Sequence, residues 1–309
     1  MTMSAAMDEG MSRCASCGKP ENDDDDVKLK KCAACHLVRY CSVKCQKDHR
    51  PKHKKECKKR AAELHDEILF KQPESTHFGD CPICCLPLPR DTKKSCMYSC
   101  CSKFICNGCS YANQKRENKG RLGRKCPFCR EPLPNTKEEG EKRTMRRIEA
   151  NDPVAICVMG SRRYDKGDYK AAFEYFSKAA ALGDVPAHYQ LSTLYYEGQG
   201  VEKDEKKELY HTEQAAIRGH PVARYNLGWI EDKRGRMDRA AKHWIIAAKL
   251  GYDKSLESLK ILYKDGDVSK EDFAAALRGH QAAIDATKSP QREEAAKVDR
   301  EEIYGILLK

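Results

Sequence analysis

Seventeen of the chain's eighteen cysteines lie between Cys14 and Cys129, and many stand in pairs two or three residues apart. No other feature narrows the fold as much. Cysteines at that density are held either by disulfides or by metal. A disulfide scaffold belongs to secreted chains, and Met1 to Met11 show no basic start followed by an apolar stretch that would mark a secretory signal. Two cysteines separated by two residues suit one tetrahedral metal ion. Zinc held by thiolates is therefore expected, in a protein inside the cell, cytoplasmic, nuclear or both.

The first cluster runs Cys14-x2-Cys17, Cys32-x2-Cys35, Cys41-x3-Cys45 and His53-x3-Cys57. Eight ligands complete two closed tetrahedral sites, which leave no open position for water, so the metal is structural rather than catalytic. The last two pairs have the spacing of one helical turn. A segment this short buries too little apolar surface to fold alone, so the metal must supply much of its folding energy. The residues Arg39-Tyr40-Cys41-Ser42, Cys45-Gln46 and His53-Lys54-Lys55-Glu56-Cys57 resemble a MYND zinc finger in order and spacing. That resemblance implies interleaved sites, with Cys14, Cys17, Cys41 and Cys45 on one ion and Cys32, Cys35, His53 and Cys57 on the other. It also implies recognition of short proline-containing peptides. Two departures stand out: a long gap carrying the acidic run Asp23 to Asp26, read as a solvated loop, and Arg50 where the family has a tryptophan. His36 and His49 read as surface histidines. The basic cluster Arg50 to Arg60 reads as a solvated helical face before it reads as a nucleic-acid contact.

A helical linker over 58–76 leads to a second cluster. It comprises Cys81-Pro82-Ile83-Cys84, Cys100-Cys101, Cys106-x2-Cys109 and Cys126-Pro127-Phe128-Cys129-Arg130. Eight thiolates again suit two structural zinc sites. The ends and the order resemble an all-cysteine RING finger. By that pattern Cys81, Cys84, Cys106 and Cys109 share one ion, and Cys100, Cys101, Cys126 and Cys129 the other. Lys103 stands where the family has a histidine ligand, and a lysine has no lone pair to offer in its charged form. The adjacent pair Cys100-Cys101 restores the count, with Cys96 in reserve, and Cys85 is left without a ligand role. The resemblance implies docking of a ubiquitin-conjugating enzyme through Ile83, Pro127 and the cation Arg130. A RING-like fold without any ubiquitin role is the alternative, and the residues leave both open.

After a charged linker over 134–150 a repeat emerges. Ala179-Ala180-Ala181-Leu182-Gly183-Asp184 recurs as Ala215-Ala216-Ile217-Arg218-Gly219-His220 and as Ala247-Ala248-Lys249-Leu250-Gly251-Tyr252, with a weaker echo at Leu277-Arg278-Gly279-His280. Alanines let helices approach closely and glycine ends the second helix of each pair. Ala187, Ala223 and Ser255 then open the next helix, with Leu191, Leu227 and Leu259 one turn later and Tyr195, Trp229 and Tyr263 as bulk between layers. The pattern resembles the Sel1-like branch of the tetratricopeptide superfamily. Its loop is best formed at Tyr196-Glu197-Gly198-Gln199-Gly200-Val201 with Asp204. Such arrays are stable only when stacked, and they present a surface to protein partners. Cys157 is expected to be buried in the first repeat.

The expected architecture is multidomain: a disordered segment 1–13, a MYND finger 14–57, the linker 58–76, a RING-like finger 77–133, the linker 134–150, an all-α repeat solenoid 151–285 and a C-terminal helix or tail 286–309. The net charge of +11 counts cysteines as neutral. About four zinc ions on thiolates bring it to roughly +4, so nucleic acid is not the expected partner. No run of eighteen apolar residues exists, so no membrane span is expected. There is no HExxH, no phosphate-cradling GxxxxGK loop and no serine elbow, and no catalytic residue is assigned. The expected function is a zinc-binding adaptor, either a RING-type ubiquitin ligase whose repeats or finger select the client, or a non-catalytic scaffold.

Overall fold

The computed structural model describes residues 13–21 and 28–304. Of the expected disorder over residues 1–13 only Arg13 is described, and it forms a bridge with Pro20; the rest of that segment, the acidic run Asp23 to Asp26 and the apolar end Ile306-Leu307-Leu308 lie outside the described residues. The chain divides after Lys71 into two compact units.

In the first unit, β1 (Lys30–Lys31) pairs antiparallel with β2 (Arg39–Tyr40), and α1 (Val43–Leu69) follows. The Ser42 hydroxyl accepts from the backbone N–H of Cys45 at 3.2 Å and starts the helix. The segment 58–76 does not begin a separate element. It continues α1 up to Leu69, because Lys58 to Leu69 is rich in strong helix formers and Arg60 reaches both Glu63 and Glu67. The buried core holds Cys14, Leu29, Cys32, Cys35 and Tyr40, with thiols as most of its members.

In the second unit, β3 (Ser95–Tyr98) and β4 (Lys103–Cys106) form a hairpin with Ser95 opposite Cys106, and α2 (Asn107–Lys119) follows directly. Then come α3 (Lys137–Glu149), α4 (Pro153–Asp165), α5 (Tyr169–Ala181), α6 (Val185–Glu197), α7 (Glu205–Ile217), α8 (Pro221–Lys233), α9 (Met237–Lys249), α10 (Asp253–Asp265) and α11 (Lys270–Asp285). Helices α4 and α5, α6 and α7, and α8 and α9 pack as antiparallel pairs stacked on one another, which makes an all-α solenoid.

The repeated tripeptide ends have one local cause. At the end of α5, Gly183 has φ +90, its N–H reaches Ala180 O at 2.9 Å, and the Asp184 N–H reaches Ala179 O at 3.0 Å. This is the 6→1 and 5→2 closure that needs a left-handed residue. The same pair of bonds recurs at Gly219 and Gly251, on Ala215-Ala216 and Ala247-Ala248. Each alanine pair is buried, so one dipeptide closes a helix and packs against its neighbour. Asp184 then caps α6 through its carboxylate, and the His220 Nδ1 caps α8.

Three expectations need correction, and one alternative left open is decided by the fold. The segment 134–150 is not only a linker, since α3 buries Thr144 and Ile148, and Ile148 joins the core of the first repeat. Its apolar stripe, one turn long, is masked by the charge around it. The fourth echo does not end a helix: Gly279 lies inside α11, where a Cβ would meet the Lys249 side chain at 2.7 Å, so it serves close packing on α9. Of the three bulky residues placed between layers only Tyr195 is buried; Trp229 and Tyr263 are 43% and 39% exposed. The tail does not hang free. Helices α12 (Pro290–Ala295) and α13 (Arg300–Tyr304) return to α2, and Ala295, Ile303 and Tyr304 join the core around Cys81 and Cys106.

Candidate metal centres and the surfaces around them

Four turns of one design carry half of the ligands. In Cys14-x2-Cys17-Gly18, Cys32-x2-Cys35-His36, Cys81-x2-Cys84-Cys85 and Cys126-x2-Cys129-Arg130, the last residue has φ of +72, +57, +54 and +65. Its N–H bonds the carbonyl of the first cysteine at 2.9, 3.0, 2.8 and 3.0 Å. Only Gly18 takes that conformation without strain; a side chain there costs about 1–2 kcal/mol. Three such residues persist because the turn brings two sulfurs to one point. Cys85 and Arg130 thus occupy the same place in their turns, and Cys85 is exposed and outside every cluster.

The sulfurs converge in four sets: Cys14, Cys17, Cys41 and Cys45; Cys32, Cys35, His53 and Cys57; Cys81, Cys84, Cys106 and Cys109; and Cys100, Cys101, Cys126 and Cys129. Within each set all ligand atoms lie within 4.8 Å of one another. A tetrahedral zinc thiolate with bonds near 2.3 Å has sulfurs about 3.8 Å apart. Cys32 and Cys57 stand at 3.7 Å, Cys84 and Cys106 at 3.9 Å, and Cys101 and Cys126 at 3.8 Å. His53 turns its Nε2 to the Cys35 sulfur at 3.1 Å. Donor number, softness and spacing all fit zinc, and four protein donors per site leave it structural. The adjacent residues Cys100 and Cys101 both bring their sulfurs into one set, while Cys96 lies buried in β3 outside it.

The thiols themselves call for a cation. Hydrogen bonds from Cys100 and Cys101 lower Cys126 to about 2, whereas the neighbouring Cys17 and Cys45 push Cys41 up to about 12. For Cys14, burial raises the value, yet the backbone N–H groups of Cys17, Cys41 and Ser16 outweigh it and bring it to about 6. Four sulfurs so close cannot all ionise unless a metal neutralises them. The chain binds zinc at about four sites. Around His53 the His49 ring stacks at 5.6 Å, and the Tyr40 hydroxyl meets His49 Nδ1 at 3.0 Å. His49 therefore has a supporting place that its sequence position did not suggest. His36 is exposed, and Cys157 is buried beside Asp184.

On the second module, Ile83 is 42% exposed and Arg130 is exposed, but Pro127 is buried and the apolar side chain offered by that turn is Phe128, 44% exposed. Arg130 Nη1 donates to Asn113 Oδ1 at 3.1 Å, and Asn113 Nδ2 donates to Lys125 O at 3.3 Å. Asn113, on α2, carried no signal in the sequence. The tail meets α2 at Asn107, Gly108, Gln114 and Lys115, about 100–160° around the helix from Asn113. A groove of about 850 Å³ runs between this module and α4, α6 and α8, with His77, Phe78, Arg90, Tyr189 and His220 on its walls. A further groove of about 460 Å³ on the solenoid is lined by Tyr196, Trp229 and Lys233.

Comparison with known proteins places two of these parts. Residues 14–57 are a MYND finger, and residues 154–184 and 185–220 are Sel1 repeats. The chain is 32% identical to chitin synthase regulatory factor 4 of Schizosaccharomyces pombe over 28% of its own length and 14% of that protein's. It is 41% identical to SET domain and MYND-type zinc finger protein 6 of the same organism over 18% of this chain and 11% of that one. A Sel1 repeat protein from Oxalobacter formigenes superposes with a TM-score of 0.36, at 28% identity, over 39% of this chain and 97% of that chain. The chain spans well under half the length of the curated relatives it matches. MYND fingers and Sel1 repeats are protein-interaction modules. Among the described residues no helix is long and apolar enough to cross a membrane.

Proposed function

We propose that the chain is a zinc-binding adaptor for protein partners and acts inside the cell as a RING-type ubiquitin ligase, with the repeats or the MYND finger holding the client. The observation that carries this reading is the free face of the second zinc module. Ile83 on the first turn, Phe128 on the last and the cation Arg130 remain exposed, although α12 bonds the backbone of the first turn at Leu86 and Pro87. A ligase of this kind forms no bond to its client. It holds a charged conjugating enzyme in a reactive pose, a positioning effect. A guanidinium suits that task because it can bond two proteins at once. Ile83 and Phe128 supply the apolar contact, and Pro127, being buried, stiffens the turn instead. The client surface on this reading is the aromatic groove of the solenoid, where Tyr196 and Trp229 stand exposed between Lys203 and Lys233.

The test is discharge of a panel of ubiquitin-charged conjugating enzymes by the zinc-loaded protein. Discharge that falls at least tenfold in Ile83→Ala and in Arg130→Ala supports the reading. No discharge of any enzyme by protein carrying its full zinc defeats it. A second reading, a non-catalytic scaffold, is favoured by the bond from Arg130 to Asn113, which engages the guanidinium within the chain. In that case both variants keep full client binding in cells.

A further inference from the structure

The first turn of the second zinc module is gripped from the far end of the chain. Arg292, at the start of α12, donates from Nη2 to Cys84 Sγ at 3.4 Å and to Leu86 O at 3.1 Å. Its Nη1 donates to Pro87 O at 2.7 Å and to Thr287 O at 2.8 Å. The guanidinium thus spans a ligand sulfur and two carbonyls of the turn that presents it. Leu86 O also accepts the Cys81 N–H that closes that turn, so both ligands of the pair are tied to the same group. The approach is tight. A Cβ on Gly108, between the ligands Cys106 and Cys109, would lie 2.8 Å from the Arg292 backbone nitrogen and 2.9 Å from its Cγ. Only glycine lets the tail come this close. The position is fixed independently by Ser289, whose hydroxyl accepts the Arg292 N–H at 3.3 Å, and by buried Ala295, Ile303 and Tyr304.

From this geometry we infer that Arg292 is an outer-shell residue of the Cys81, Cys84, Cys106 and Cys109 zinc site. It is a positioning residue and donates to the Cys84 thiolate instead of binding metal. Its physical role follows from charge. Four thiolates on one divalent ion leave two negative charges in a site whose other ligands are buried. A hydrogen bond from a permanent cation to one sulfur reduces that charge, orients the ligand and slows loss of the ion. Outer-shell partners of this kind typically change metal affinity 10–100-fold. Among the described residues no equivalent cation bonds a sulfur of the Cys100, Cys101, Cys126 and Cys129 set, so the two sites of one module should differ.

The experiment uses full-length protein loaded with cadmium-113, whose resonance frequency reports the electron density on the coordinating sulfurs. Arg292→Gln is expected to move one of the three tetrathiolate resonances and leave the other two in place. In the zinc protein the same variant should release one of about four ions to a chelator about tenfold faster. Arg292→Lys, which keeps charge but not the fork, should fall between. Glu294→Ala removes the exposed Lys115 ion pair of the same helix and serves as the control for docking alone. If Glu294→Ala moves the resonance as far as Arg292→Gln, or if Arg292→Gln moves nothing, the assignment is overturned. Loss of only that one ion supports it. Loss of both ions of the module together overturns it, because that reports collapse of the module and not a weakened site.

Discussion

Replacing Gly219 by alanine should cost more than the same change at either of its two repeat equivalents. All three glycines, Gly183, Gly219 and Gly251, hold φ between +80 and +90 at the end of a helix. Alanine there meets a left-handed penalty of about 1–2 kcal/mol. The gain from a stiffer unfolded chain is the same at each, so it cancels in a comparison. What differs is the space. At Gly183 a Cβ has nothing within 4 Å, and at Gly251 it meets Ala283 and Ile284 at ordinary contact, 3.6 and 3.7 Å. At Gly219 it would lie 2.4 Å from the backbone oxygen of Ser75 and 3.3 Å from the nitrogen of His77. Gly219 O also accepts the His77 N–H at 3.1 Å, and the His77 ring stacks on His220 at 4.2 Å. Backbone cannot move aside as a flexible side chain can, so overpacking adds about 1–3 kcal/mol. Gly183→Ala should therefore lose about 1–2 kcal/mol and Gly219→Ala about 2–5 kcal/mol. Urea unfolding of the zinc-loaded protein measures the difference, and amide exchange at His77 shows whether the lost protection sits at that junction. Equal losses at Gly219 and Gly183, with His77 exchange unchanged, would refute the claim that the approach to the second zinc module is packed on the repeats.

Chelation should remove about four zinc ions and unfold the MYND finger while α4 to α11 keep their helical signal; complete loss of that signal would mean the repeats also depend on metal. Native mass spectrometry should count one ion fewer in Cys84→Ser and an unchanged number in Cys85→Ser. Alkylation of the zinc-loaded protein should label exposed Cys85 but spare Cys157, because burial beside Asp184 pushes that thiol far above its ordinary value. Acid should loosen the repeats locally. Burial, with His211 and Arg218 nearby, lowers His188 from 6.5 to about 4, so the folded state favours the neutral ring. The unfolded chain then binds the extra proton, and stability present above 6.5 is lost as pH falls toward 4. Protection of α6 amides, taken relative to intrinsic exchange at each pH, should fall across that window, and His188→Gln should flatten the fall.

Much of the local structure is written in short patterns. A cysteine pair two apart dictates its turn, and an alanine pair before glycine dictates both a helix end and a packing face. Which turns share an ion is a non-local matter, and spacing alone leaves it open; it came from family resemblance. The parts that escaped reading are non-local for the same reason. Ile303 and Tyr304 look like loose apolar residues because the core that buries them is built around Cys81 and Cys106, some two hundred positions earlier. Ile148 lies in a stretch so charged that one buried turn leaves no periodic trace. Asn113 and Arg292 are ordinary surface residue types whose meaning lies wholly in what they touch. Trp229 and Tyr263 misled because bulk alone does not say which way a side chain faces.

The return of α12 and α13 to α2 has a mechanical consequence. Residues 77–133 and 290–304 meet in one zinc-stapled body, so the repeats between them form a closed loop of chain whose two roots lie side by side. Tension applied between residue 72 and residue 304 would run across the short zinc body and bypass the solenoid. The helices would feel load only after Arg292, Tyr304 and their partners had let go. A pull on the ends would therefore unlatch before it unravelled, and the repeats could keep hold of a partner while the rest of the molecule was under strain.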